Sequence, residues 1–160
     1  MCGVSIPTIR LQTEPEALAA EALAKSPGSL LPKRPITWQH PKRKQGKFSI
    51  EGGEWSATGV ESGCFVLETP AVAGHIYAVG GEIRGTGDIA ITWKRKGKLI
   101  SFNAPGYYVP KANRGGGWSG GAIAVCVPPG ADRLAVHLSV KRQRDDETTT
   151  FRNIRVVEIR

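Results

Sequence analysis

The chain has 160 residues and a mass of 17.2 kDa, with 40% hydrophobic and 22% charged residues. That is enough apolar content for one packed domain and too much for a disordered chain. It carries 22 Lys/Arg against 14 Asp/Glu, a net charge of +8, its three cysteines cannot close a disulfide framework, and no run approaches the roughly 20 apolar residues of a membrane helix.

The basic excess sits at the N-terminus. Residues 1–50 hold eight Lys/Arg against three Glu, and residues 51–160 hold fourteen against eleven. This reads as an extended basic arm, residues 1–47, ahead of a near-neutral domain, residues 48–160. In the arm, Thr13 and Glu16 have the spacing of a capping box and Pro15 suits a first turn. Ser26-Pro27-Gly28 then stops a helix near 14–25. So short a helix is unstable alone in water and must dock or fray. Pro32, Pro35 and Pro41 hold the following chain extended among Lys33, Arg34, Lys42, Arg43 and Lys44. Trp38 is the apolar anchor expected to dock this arm on a partner surface.

From Phe48 the apolar period becomes two. Strands are expected at 47–51, 64–69, 76–84, 88–95, 98–102, 122–127, 133–141 and 149–159, broken by Gly52-Gly53, Pro70, Gly85-Thr86-Gly87, Gly97, Gly115-Gly116-Gly117 and Pro128-Pro129-Gly130. Eight strands with no helical pattern between them predict an all-β fold, an antiparallel two-sheet jelly-roll sandwich. Alternation points Ile89, Ile91, Trp93, Val125, Leu134, Val136 and Leu138 into the core. The reverse side carries Ala78, Ala90, Thr92, Ala122, Ala124, Ala135 and Ser139, where a solvated sheet would show Lys, Glu and Arg. Something is therefore expected to cover it, either the chain's own arm or a neighbouring subunit.

Gly74-His75-Ile76-Tyr77, Ile83-Arg84-Gly85-Thr86-Gly87, Ile89-Ala90-Ile91-Thr92-Trp93, Gly117-Trp118-Ser119, Val127-Pro128-Pro129-Gly130-Ala131 and Phe151-Arg152-Asn153-Ile154-Arg155-Val156 follow one another in order. Together they resemble the galactose-binding-like jelly rolls, especially the carbohydrate-binding modules found beside glycoside hydrolases. The resemblance covers about the last two-thirds of the chain and implies a β-sandwich with a polysaccharide as one expected partner. In that superfamily the last strand commonly carries Asp where Arg152 and Asn153 stand here, so the structural calcium that the resemblance would imply loses its ligands.

Catalytic and metal patterns are weak. Gly117-Trp118-Ser119-Gly120-Gly121 fits the G-x-S-x-G spacing, with Asp132 and His137 following, but a nucleophile elbow needs a strand before the serine and a helix after it. His40, His75 and His137 share no ligand spacing, and Cys2, Cys64 and Cys126 form no CxxC. Cys64 and Cys126 read as buried, inert thiols. Asp145, Asp146 and Glu147 suit a solvated hairpin tip and alone cannot complete the roughly six to eight oxygens of a calcium shell. No enzyme activity, cofactor or metal is expected.

The leading reading is a non-catalytic assembly subunit, attached to other copies or to a larger particle through its arm and its small-residue face; a capsid decoration protein is one form. The alternative is a carbohydrate-binding module stacking sugars on Trp55, Tyr107, Tyr108 and Trp118, with Asn113, Arg114, Asn103 and Glu54 supplying hydrogen bonds. Nucleic-acid contact by the basic arm ranks third. Residues 1–10 lack the long apolar run of an export signal, so an intracellular or particle-borne protein is expected.

Overall fold

The computed structural model describes residues 13–100 and 107–160, with the backbone of a short hairpin formed by Ser5–Ile6 (β1) and Ile9–Arg10 (β2). Cys2, Asn103 and the end of the strand expected at 98–102 lie outside the described residues. Helix α1 spans Glu14–Lys25, and its capping box forms on both sides. The Glu16 backbone N–H donates to Thr13 Oγ1 at 3.4 Å, and the Thr13 N–H donates to Glu16 Oε2 at 3.1 Å.

The strands follow as β3 Ile36–Gln39, β4 Lys47–Glu51, β5 Glu54–Thr58, β6 Ser62–Pro70, β7 Ile76–Arg84, β8 Asp88–Arg95, β9 Lys98–Leu99, β10 Tyr107–Tyr108, β11 Ala112–Gly115, β12 Trp118–Cys126, β13 Arg133–Lys141 and β14 Thr148–Ile159. Sheet one runs β10-β8-β13-β6-β3, with β9 paired to β8; sheet two runs β11-β12-β7-β14-β5-β4. The fold is an all-β, antiparallel two-sheet sandwich preceded by one helix. Phe65, Leu67, Ile83, Ile91, Leu134, Leu138 and Phe151 fill the space between the sheets, all but closed to solvent. Phe65 stands at their centre, edge-on to Phe48 at 4.9 Å and to Phe151 at 6.0 Å.

Residues before position 48 also enter the sandwich. Ile36–Gln39 pairs with β6 as the edge strand of sheet one, kept to four residues by the prolines around it. Helix α1 lies on sheet two, where Ala19 is fully buried against Ala78, Ala122 and Val157. A β-bulge between Arg152 and Arg155, with Asn153 at φ +56°, turns Arg155 toward the helix end. Its guanidinium donates to the carbonyls of Leu23 (3.0 Å), Gly28 (2.8 Å) and Ser26, which would otherwise be left open where the helix stops.

The small-residue face expected to be covered as one surface is divided between the two sheets. Ala78, Ala122 and Ala124 lie in sheet two beside α1, whereas Ala90, Thr92, Ala135 and Ser139 lie in sheet one. Alternation fixes which way a side chain points and carries no information about which sheet its strand joins. Cys64 is buried as expected, but Cys126 is exposed at the end of β12.

Ala19→Leu forces a larger side chain between helix and sheet and is expected to destabilise the fold by about 1–3 kcal/mol in urea unfolding. Leu18→Ala, at a position 40% exposed, changes it by less than about 0.5 kcal/mol.

Candidate functional site

The register of sheet one sets Tyr108, Ala90, His137, Val66 and Ile36 in one row across five strands. On one side of it run Thr92, Ala135 and Glu68; on the other run Asp88, Ser139, Cys64 and Trp38. Directly paired residues point to the same side of a sheet, and the intervening row of Ile91, Val136 and Leu67 is core, so these three rows form the outer face. Among the described residues, no helix or strand packs across it.

Its two edges stand high and its middle is low. Tyr108 is 59% exposed on β10; Ile36 and Trp38 are 72% and 50% exposed on β3. Four interstrand steps, about 19 Å, separate β10 from β3. Between them lie Ala90, Ala135, Ser139 and Val66. The result is a trough running parallel to the strands, with an aromatic ring at each rim.

Charges close its ends in pairs. Lys94 Nζ lies 2.5 Å and Arg133 Nε 3.1 Å from the Glu68 carboxylate. Lys94 and Glu68 stand on strands either side of β13, so their link passes over Ala135 and seals it from solvent. Burial alone would raise the Glu68 carboxyl, but the hydrogen bonds and charges of Lys94 and Arg133 hold it below its ordinary value. At the other end Lys111 Nζ lies 2.9 Å from Asp88 Oδ1.

His137 sits at the middle of the floor, with Nδ1 3.9 Å from Cys64 Sγ. Its Nε2 and the Oγ1 of Thr92 are buried without a hydrogen-bond partner. Burial first, and then the charge of Lys94, push the His137 ring below its ordinary value of 6.5, with Glu68 opposing. Burial also raises the Cys64 thiol. The floor is therefore uncharged at neutral pH.

The aromatic platform expected from sequence does not assemble. Trp55, expected in a loop, lies on β5 and points inward, 7% exposed and 6.3 Å from Phe65. Trp118 faces outward but is 5% exposed, because the Arg152 and Arg84 guanidiniums stack on it with Cζ 3.7 and 4.7 Å from the ring centre. Tyr107 packs half-buried against the core, leaving Tyr108 exposed. Asn113, Arg114 and Glu54 belong to sheet two. The arm cations do not form a free basic stripe either. Lys44 pairs with Asp145 at 2.5 Å and Arg43 with Glu61 at 3.6 Å, while Lys33, Arg34 and Lys42 are exposed. Trp38, read from sequence as the anchor of that arm, is a sheet-face residue; the alternation of Ile36 and Trp38 was the available signal, and the surrounding prolines masked it.

Ser119 lies in sheet two and His137 in sheet one, so the G-x-S-x-G match meets no histidine. Arg152 and Asn153, where the resemblance would place calcium ligands, are both bonded to Glu82. Among the described residues, no three His, Cys, Asp or Glu side chains gather as a metal site.

A histidine held neutral by the fold binds fewer protons than in the unfolded chain, so its contribution to stability is complete above pH 6.5 and falls as pH drops through the lower folded value. Denaturant unfolding measured across pH 5–7 should show this loss in the native protein and a smaller one in His137→Gln.

No protein-family model and no curated protein matches the chain. Among solved structures, the sandwich is similar to a family 4 carbohydrate-binding module, with 13% identity and a TM-score of 0.55 over 78% of this chain and 86% of that one. It is also similar to the enzymatically active domain of tailspike protein 4 of bacteriophage CBA120, with 17% identity and a TM-score of 0.53 over 72% of this chain. The match spans only 18% of the tailspike chain. At these identities the likeness is one of fold, the β-sandwich of carbohydrate-binding modules that the sequence resembles. The reading as an assembly subunit does not survive. The face thought to await a partner carries the chain's own helix on sheet two, and the structural neighbours include a carbohydrate-binding module and a tailspike enzymatic domain.

Proposed function

We propose that the chain is a non-catalytic carbohydrate-binding module that lays a polysaccharide strand across the outer face of sheet one. The observation that carries this reading is the placement of Trp38 and Tyr108, both half or more exposed, at opposite rims of one trough with small side chains between them. Sugar rings present apolar faces that stack on aromatic rings, and their hydroxyls need donors and acceptors beside those rings. Ser139, Asp88, Glu68 and Arg133 supply these along the trough. The fold likeness to a carbohydrate-binding module supports the same reading.

The carboxylates argue for binding without hydrolysis. Glycosidases hold a pair of acids about 5–9.5 Å apart. On this face Glu68 and Asp88 are two strands and four residues apart, about 16 Å between backbones. Each is tied to cations at its own end of the trough, which keeps the pair from converging.

Affinity gel electrophoresis through β-glucan, xylan, mannan and galactan tests the proposal. At least one should retard the protein, and Trp38→Ala and Tyr108→Ala should each weaken retention about tenfold, with thermal melts unchanged. Retention by none, or equal retention of both folded variants, would overturn it.

A further inference from the structure

We infer a second ligand site on the opposite side of the sandwich, an arginine cluster built on Trp118 that takes a carboxylate carried by an acidic polysaccharide. It rests on the proposed function only in placing the anion on a sugar; its residues are separate from those of the trough.

The register brings the cluster together. Trp118 pairs with Arg84 across β12 and β7, and Gly120 pairs with Glu82, which pairs in turn with Arg152 on β14. Arg152 and Arg84 stack on the indole, and Arg114 is fixed beside them by a 3.4 Å hydrogen bond from Nε to the Gly120 carbonyl. Two carboxylates stand near the three guanidiniums: Glu82, and Glu54, which pairs with Arg152 across β5 and β14. Glu82 is engaged by Arg152 at 2.9 Å and by Asn153 at 2.6 Å. Burial would raise its carboxyl, but these bonds and the charges of Arg152 and Arg114 hold it below its ordinary value. Among the described residues, neither Arg84 nor Arg114 makes a close ion pair with a carboxylate, and Arg114 reaches Glu82 only through its charge. Arg84 and Arg114 are thus left in excess of the acids beside them, and an incoming anion relieves their repulsion.

Beside the cluster opens a groove of about 440 Å³, lined by Glu82, Arg114, Asn153 and Arg155 with Gly80 and Ala122. This volume lies within the range of small-molecule sites and exceeds the need of a bare ion. Planar guanidiniums match a carboxylate in paired hydrogen bonds, while Glu82 and Asn153 on the same wall can meet sugar hydroxyls. Glu82 also opposes a densely charged phosphate chain. These features select a saccharide bearing single, spaced carboxylates.

The probe is polygalacturonate, compared with its methyl ester, in which capping each carboxylate removes the charge, and with a sulfated galactan. Polygalacturonate should retard the native protein in an affinity gel, the ester should not, and raised salt should weaken the effect. Arg114→Gln and Arg84→Gln should each reduce this retention about tenfold while leaving the Trp38-dependent retention by a neutral polysaccharide intact. Arg84→Gln also uncovers Trp118, so if melts show it unfolded, the exposed Arg114 carries the test. Equal binding of acid and ester, preference for the sulfated polymer, no retention by polygalacturonate, or unaltered retention of folded Arg114→Gln would overturn the inference. Failure of the neutral panel with polygalacturonate still retained would count against the trough and leave this site standing.

Discussion

Ala19 of α1 meets Ala78 and Ala122 with nothing larger between, and the Arg155 guanidinium fastens the end of that helix to β14. A helix of 12 residues does not hold itself together in water, so its stability comes from this docking. Small side chains on both partners permit the close approach. The bulge at Asn153 and Ile154 sets Arg155 where the carbonyls of Leu23, Ser26 and Gly28 converge, and Leu30 and Ser29 then tie the outgoing chain to Val156. The rest of the molecule depends on this contact because it decides which sheet face is filled and which is free.

With the helix on sheet two, the chain leaving it crosses to sheet one and adds Ile36–Gln39 to its edge. That addition raises Trp38 and Ile36 beside β6 and gives the trough its second rim. The two sides of the sandwich consequently differ in chemistry. Sheet one offers exposed rings over an uncharged floor with ion pairs at its ends. Sheet two offers a tryptophan already covered by arginines, next to a groove with cations in excess. One side suits the stacking of neutral sugar faces and the other suits charge recognition.

Much of the fold was legible because it is local. The strands at 76–84, 88–95 and 133–141 match residue for residue, the capping box forms as spaced, and Trp93 lies in the core where alternation put it. The site was less legible because it depends on pairing between distant segments. Nothing local marks Ala78 as a neighbour of a helix and Ala90 as a neighbour of open water. Trp55 was lost through a short strand hidden behind Gly52-Gly53, which turned an expected loop ring into a core ring. Trp118 does point outward, but its cover comes from the adjacent strand and the one beyond it. His137 was placed on the reverse face, yet its position at the centre of a five-strand row follows only from register.

The most direct test is an NMR titration of the isotopically labelled protein with an oligosaccharide fragment of the neutral polysaccharide that binds it, following the four tryptophan indole signals. The Trp38 indole is expected to shift, together with backbone amides of β10, β13 and β6, while Trp118 and the amides of α1 stay in place. Movement of Trp118 and α1 with Trp38 unchanged would contradict the placement of the sugar on sheet one.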